Sequence, residues 1–205
     1  MAVTKFTTTS SFTNFNKYDS FLAGNVLWAP SGAYNSIATT TVGSGGASSV
    51  TFSSIPATYT HLQIRFIARN NRTASALGYT TVQFNSDTAS NYAWHDIYGQ
   101  GTTAGVDGNA SQTSMLLGLS SGATGTTNVF GAGAIDILDY ANTSKYKTCR
   151  SLSGYDQNSN DANGQIRFLS GLWQSTSAIS TITISDSTFS WQQYSSFALY
   201  GIKGA

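Results

Sequence analysis

The sequence contains no glutamate. All nine carboxylate side chains are aspartates, and only 9% of residues are charged, against about 25% in ordinary domains. That constrains the fold more than any motif does. Glu, Lys and Arg usually coat helix surfaces, and the Ser, Thr, Gly and Asn that stand in for them here are poorer helix formers. Together with Val, Ile, Tyr and Phe, these residues suit strands and the turns between them. With 40% apolar and 13% aromatic residues among 205, the chain can bury a substantial core. The expectation is one all-β domain.

Residues 1–35 follow a different pattern. Phe6, Phe12, Phe15, Phe21, Leu22 and Trp28 punctuate a Ser/Thr/Asn-rich stretch, at spacings that hold neither period 2 nor period 3.6. Aromatics give large burial per residue, so an extended N-terminal arm that lies along a neighbouring subunit or the body is expected. From residue 36 onward, short β-branched and aromatic runs alternate with turn signals. Strands are predicted over 36–42, 49–53, 61–69, 79–85, 115–119, 128–140, 146–153, 165–173, 178–184 and 196–203. The third alternates clearly: Leu62, Ile64, Phe66 and Ala68 share one face, with His61, Gln63 and Arg65 on the other. Asn163-Gly164 is a hairpin-type pair, and Pro30 and Pro56 avoid strand centres. The predicted fold is an antiparallel β-sandwich of jelly-roll type over 36–205. Two long loops are expected, 86–112 and 154–164. The first carries Tyr92, Trp94 and Tyr98, a candidate glycan or partner surface.

Enzymatic chemistry finds little footing. Gly118-Leu-Ser-Ser-Gly122 matches a nucleophile elbow, but that mechanism needs a helix after the turn, and Ala-Thr-Gly-Thr-Thr follows. His61 and His95 are the two histidines; His95 adjoins Asp96 without an accompanying nucleophile. Asp136 and Asp139, if both in strand, point to opposite faces, unlike a glycosidase pair. Residues 156–164 look like a calcium loop but lack the bidentate Glu and suit a turn instead. Cys149 falls within a predicted strand, as a small core residue. No cofactor is expected. A net charge of +1 without a basic run argues against nucleic acid. No stretch approaches the 18 apolar residues of a membrane-spanning helix, and no apolar leader opens the chain.

Three stretches carry a resemblance: 36–65 (SIATTTVGSGGASSVTFSSIPATYTHLQIR), 170–184 (SGLWQSTSAISTITI) and 197–203 (FALYGIK). Together they resemble bacteriophage virion proteins of the tail-fibre and capsid-decoration kind, whose ends often take the form F-x-L-Y-G-I. The resemblance implies a compact β-sandwich that oligomerises, often as a trimer, with no catalytic motif to transfer. A tail-fibre shaft would show heptads or a repetitive β-region, and neither is present. The expectation is therefore a virion protein, made in the host cytoplasm, that decorates a capsid by binding the major capsid protein and copies of itself. The alternative is a tail-fibre tip or adaptor that binds host surface glycans through Tyr92, Trp94 and Tyr98.

Overall fold

A computed structural model describes residues 33–158 and 164–204. Every regular element among them is a strand: β1 (Tyr34–Thr41), β2 (Ser49–Phe52), β3 (His61–Ala68), β4 (Leu77–Phe84), β5 (Tyr92–Gln100), β6 (Thr103–Gln112), β7 (Met115–Ser121), β8 (Gly131–Leu138), β9 (Lys147–Tyr155), β10 (Gln165–Trp173), β11 (Ile182–Ser185) and β12 (Ser196–Ile202). They form two sheets. The large one has the order β1-β12-β3-β8-β9-β10-β5-β6, the small one β2-β11-β4-β7. Every neighbouring pair of strands runs antiparallel. The sheets pack face to face as a β-sandwich.

The core follows from period-2 alternation. Leu62, Ile64 and Phe66 of β3, Ile135 and Ile137 of β8, and Phe197 and Leu199 of β12 point inward from the large sheet. Val50, Phe52, Val82, Phe84, Ile182 and Ile184 meet them from the small one. Phe66 enters a slot between glycines of both sheets: a Cβ at Gly118 or Gly133 would lie 2.6 or 2.5 Å from its ring. Strand β7 is buried along its whole length, so its apolar run does not alternate.

Among the described residues, Arg69 and Lys147 are buried cations without a carboxylate partner. Arg69 donates to the carbonyls of Ala123, Gly125, Thr126 and Val129 at 2.8–3.1 Å. Lys147, fully buried, donates to the carbonyls of Asn142, Lys145 and Thr176. Each satisfies backbone acceptors that a loop would otherwise bury unpaired. Desolvation lowers both pKa values.

Two expectations change. The segment 86–112 is not a long loop but a turn followed by the β5–β6 hairpin. Strand β6 has the sequence TAGVDGNASQ, which is poor in strand formers. It is held because β5 lays rings over its glycines: Tyr98 opposes Gly105 and His95 opposes Gly108, and a Cβ at either glycine would meet those rings at 2.4 Å. Of the predicted arm, 1–32 lies outside the described residues, and Tyr34 and Asn35 already belong to β1.

Candidate interaction face

The outer face of the large sheet is where the chain departs from an ordinary solvated surface. Strand register places Val106 opposite Ile97, Ile97 opposite Phe168, Phe168 opposite Leu152, and Leu152 opposite Ala134. One row runs across five strands, and its large members are 53–77% exposed. The next row places Ile166 between Gly99 and Gly154, then Ala132 and Ile67. Ile166 and Ile67 are 56% and 54% exposed. Small residues between large ones leave a shallow relief. In β10 the alternation is strict: Ile166 and Phe168 face out, while Arg167 and Leu169 face in.

The patch has a charged border. Arg150 Nε donates to Asp136 Oδ2 at 3.0 Å, Gln63 Nε2 to Asp136 Oδ1 at 2.7 Å, and Arg65 Nε to Gln63 Oε1 at 2.8 Å. The Arg65 guanidinium lies over the rings of Tyr34 and Tyr200, 5.8 and 5.6 Å from their centroids. An apolar centre flanked by polar groups is the anatomy of a protein interface. Contiguous apolar surface of this kind marks interaction sites on soluble proteins.

The predicted partner residues Phe6, Phe12, Phe15, Phe21, Leu22 and Trp28 lie outside the described residues. Tyr92, Trp94 and Tyr98 share the inward face of β5, not a loop. Tyr92 is buried, stacks on Trp173 at 6.3 Å, and its hydroxyl accepts from the Phe84 amide at 3.0 Å. Burial pushes its pKa up to about 12. Trp94 is 8% exposed beside a cleft of about 290 Å3 that Tyr79, Asp107, Asn109 and Arg167 help line. Tyr98 lies 4.8 Å from the Arg167 guanidinium. Alternate aromatics at 92, 94 and 98 are a strand signal, masked by the glycine-rich partner strand.

The remaining candidates separate spatially. His95 faces outward, whereas Asp96 is buried and paired with Arg167. Burial raises the Asp96 pKa, with Arg167 opposing. Ser120 and Ser121 are sealed in β7 against Asn70 and Arg69. Asp136 belongs to the charged border, while Asp139, past the end of β8, pairs with Lys145 through its carboxylate and donates its amide to His61 Nδ1 at 2.9 Å. Cys149 is fully buried, and desolvation holds its thiol far above the ordinary range. Among the described residues, no three His, Cys or carboxylate side chains gather around a metal position. The Asn/Asp-rich turn lies partly outside those residues; within them, Asp156 Oδ1 accepts from the Asn158 amide at 2.7 Å. Compared with models of protein families and with curated proteins, the chain finds no match.

Proposed function

We propose that this chain is a non-enzymatic structural protein of a bacteriophage particle, a capsid decoration protein that binds the coat lattice through the outer face of its large sheet. The carrying observation is the apolar row Val106–Ile97–Phe168–Leu152, half or more exposed on a sandwich with few surface charges. An aqueous monomer has no use for such a row, whereas a surface buried in an assembly gains burial energy of about 25 cal/mol per Å2 from it. The resemblance of 36–65, 170–184 and 197–203 to virion proteins supports the same reading, and with it a homotrimer. The strand order supports a jelly roll: β1-β12-β3-β8 faces β2-β11-β4-β7, two nested Greek keys, with the hairpins β5–β6 and β9–β10 extending the large sheet. Repetition across a lattice multiplies modest single-site affinity. The aromatic residues of 1–30 supply a second contact, so deletion of this segment is expected to leave a folded body that no longer joins the particle.

The test is the copy number per purified virion, measured by quantitative mass spectrometry against the major capsid protein. A ratio near one to one supports capsid decoration. A handful of copies overturns it in favour of a tail position, the second reading.

A further inference from the structure

Four loops meet at one end of the sandwich around an open cleft of about 620 Å3, a volume usual for small-ligand sites. They are the connections β1–β2, β3–β4, β7–β8 and β11–β12. Backbone bonds stitch them together: the Ala47 and Trp191 amides donate to each other's carbonyls at 3.1 and 2.7 Å, the Asn71 amide to the Ser190 carbonyl at 3.0 Å, and the Gln192 amide to the Arg69 carbonyl at 2.8 Å. Arg69 clamps the β7–β8 connection from beneath through its four carbonyl contacts. The cleft is therefore preorganised, although no regular element forms its wall.

The lining chemistry is selective. Four amide residues, Asn71, Asn128, Gln192 and Gln193, line it. Asn71 uses its oxygen on the Ser190 amide, and Gln192 uses its oxygen on Arg69 Nε. Both NH2 groups stay available, and the amides of Asn128 and Gln193 have no hydrogen-bond partner among the described residues. Arg69 is the one charged residue of the lining, and its donors are already directed at Gln192, Ser121 and the four carbonyls. Among the described residues of the lining, no cationic donor remains for a carboxylate or phosphate. Beside these amides stands Tyr194, 70% exposed and held at φ +73°. A bulky residue in the left-handed region is strained, and such strain persists where the surroundings impose it. The Tyr194 amide is anchored to the Val42 carbonyl at 3.0 Å. Asn128 lines the same cleft at φ +65°.

We infer that this cleft binds a neutral saccharide, with Tyr194 as the stacking ring and Asn128, Gln193 and the NH2 groups of Asn71 and Gln192 as hydroxyl partners. Amides offer donor and acceptor side by side, matching adjacent pyranose hydroxyls, and an aromatic face takes the apolar side of the sugar ring. Trp94, nearly buried, presents far less ring than Tyr194. This inference does not depend on where the chain sits in a particle.

The test is saturation-transfer NMR on the full chain with a panel of neutral disaccharides (lactose, maltose, cellobiose, chitobiose), and with sialyllactose and a uronic-acid disaccharide as charged comparators. Transfer to at least one neutral disaccharide is expected, with weaker transfer to the charged pair. Tyr194→Gly is expected to weaken binding at least tenfold. Because it relieves the positive φ, the same change is expected to raise Tm by about 2–4 °C, so lost binding is not lost folding. Gln193→Ala is expected to weaken binding several-fold, and Thr51→Val on the outer face of the small sheet to leave it unchanged. No transfer to any neutral disaccharide, preference for the charged pair, or undiminished transfer in Tyr194→Gly overturns the inference.

Discussion

The two outward faces of this sandwich are made from the same kind of strand and differ in what they offer water. On the small sheet, Thr51 opposes Thr183, which opposes Gln83; the next row opposes Ser49 to Ser185. Hydroxyls there satisfy one another, with Thr51 Oγ1 3.1 Å from Thr183 Oγ1. This is how the chain builds a sheet face meant for solvent. The large sheet carries Val106, Ile97, Phe168, Leu152 and Ile166 at equivalent outward positions. Since Ser and Thr abound in this sequence, the apolar row is not forced by composition. The difference teaches that a low-charge chain can still build one sheet face from hydroxyls and the other from exposed apolar side chains.

The contrast can be broken most sharply within β10, where adjacent residues face opposite ways. Leu169→Ala should cost about 2–5 kcal/mol in urea unfolding, whereas Phe168→Thr should stay within about 1 kcal/mol; equal losses would make the outer row structural. Placing two charges in the row, with Ile97→Asp and Phe168→Asp together, should reduce incorporation into particles by more than tenfold, in line with the loss of about 2 kcal/mol at an interface hot spot. Quantitative mass spectrometry of purified particles checks it.

A smaller effect is expected where the sheets are tied. Asp87, after β4, accepts from Asn91 Nδ2 at 2.9 Å and from Trp173 Nε1 of β10 at 2.7 Å. These bonds, that from Asn91 first, hold its carboxyl below the ordinary 3.8. A depressed carboxyl stabilises the fold above its unfolded pKa and loses that contribution as pH falls through the folded value. Asp87→Asn should therefore lower stability by about 1 kcal/mol near neutrality, and its gap from the parent should close below pH 3.8. Thermal unfolding at stepped pH follows the gap. The smallest change belongs to the hydroxyl face: Thr183→Val should shift stability by less than about 1 kcal/mol and leave incorporation untouched. A loss of incorporation there would erase the distinction between the faces.

The all-β class was legible in the missing glutamates, and β3 in its alternation. The eight-plus-four division was not, because strand order rests on pairings over a hundred residues apart. Strand β6 was hidden because Gly105 and Gly108 take their stability from Tyr98 and His95 on the neighbouring strand, a cross-strand effect that no local window contains. The interaction face was hidden for a related reason. Ile97, Phe168, Leu152 and Val106 become neighbours only through register, and each alone looked like one residue of a mixed strand. The loop-end cleft gave no sequence signal: its amides and Tyr194 come from separate turns, and a tyrosine at positive φ is a property of the backbone.

The strand order also bears on how the chain is made. Strand β12 lies between β1 and β3, and β11 lies between β2 and β4. The strands synthesised first are thus joined by those synthesised last, and the hydrogen-bond partner of β1 arrives only with residues 196–202. A ribosome carrying most of this chain holds several unpaired edges and no complete sheet. Such long-range closure is slow and leaves sticky intermediates. Folding should therefore begin in earnest only after the end of β12 has emerged, and translation that stops short of it should leave material fit for proteolysis rather than a shortened sandwich.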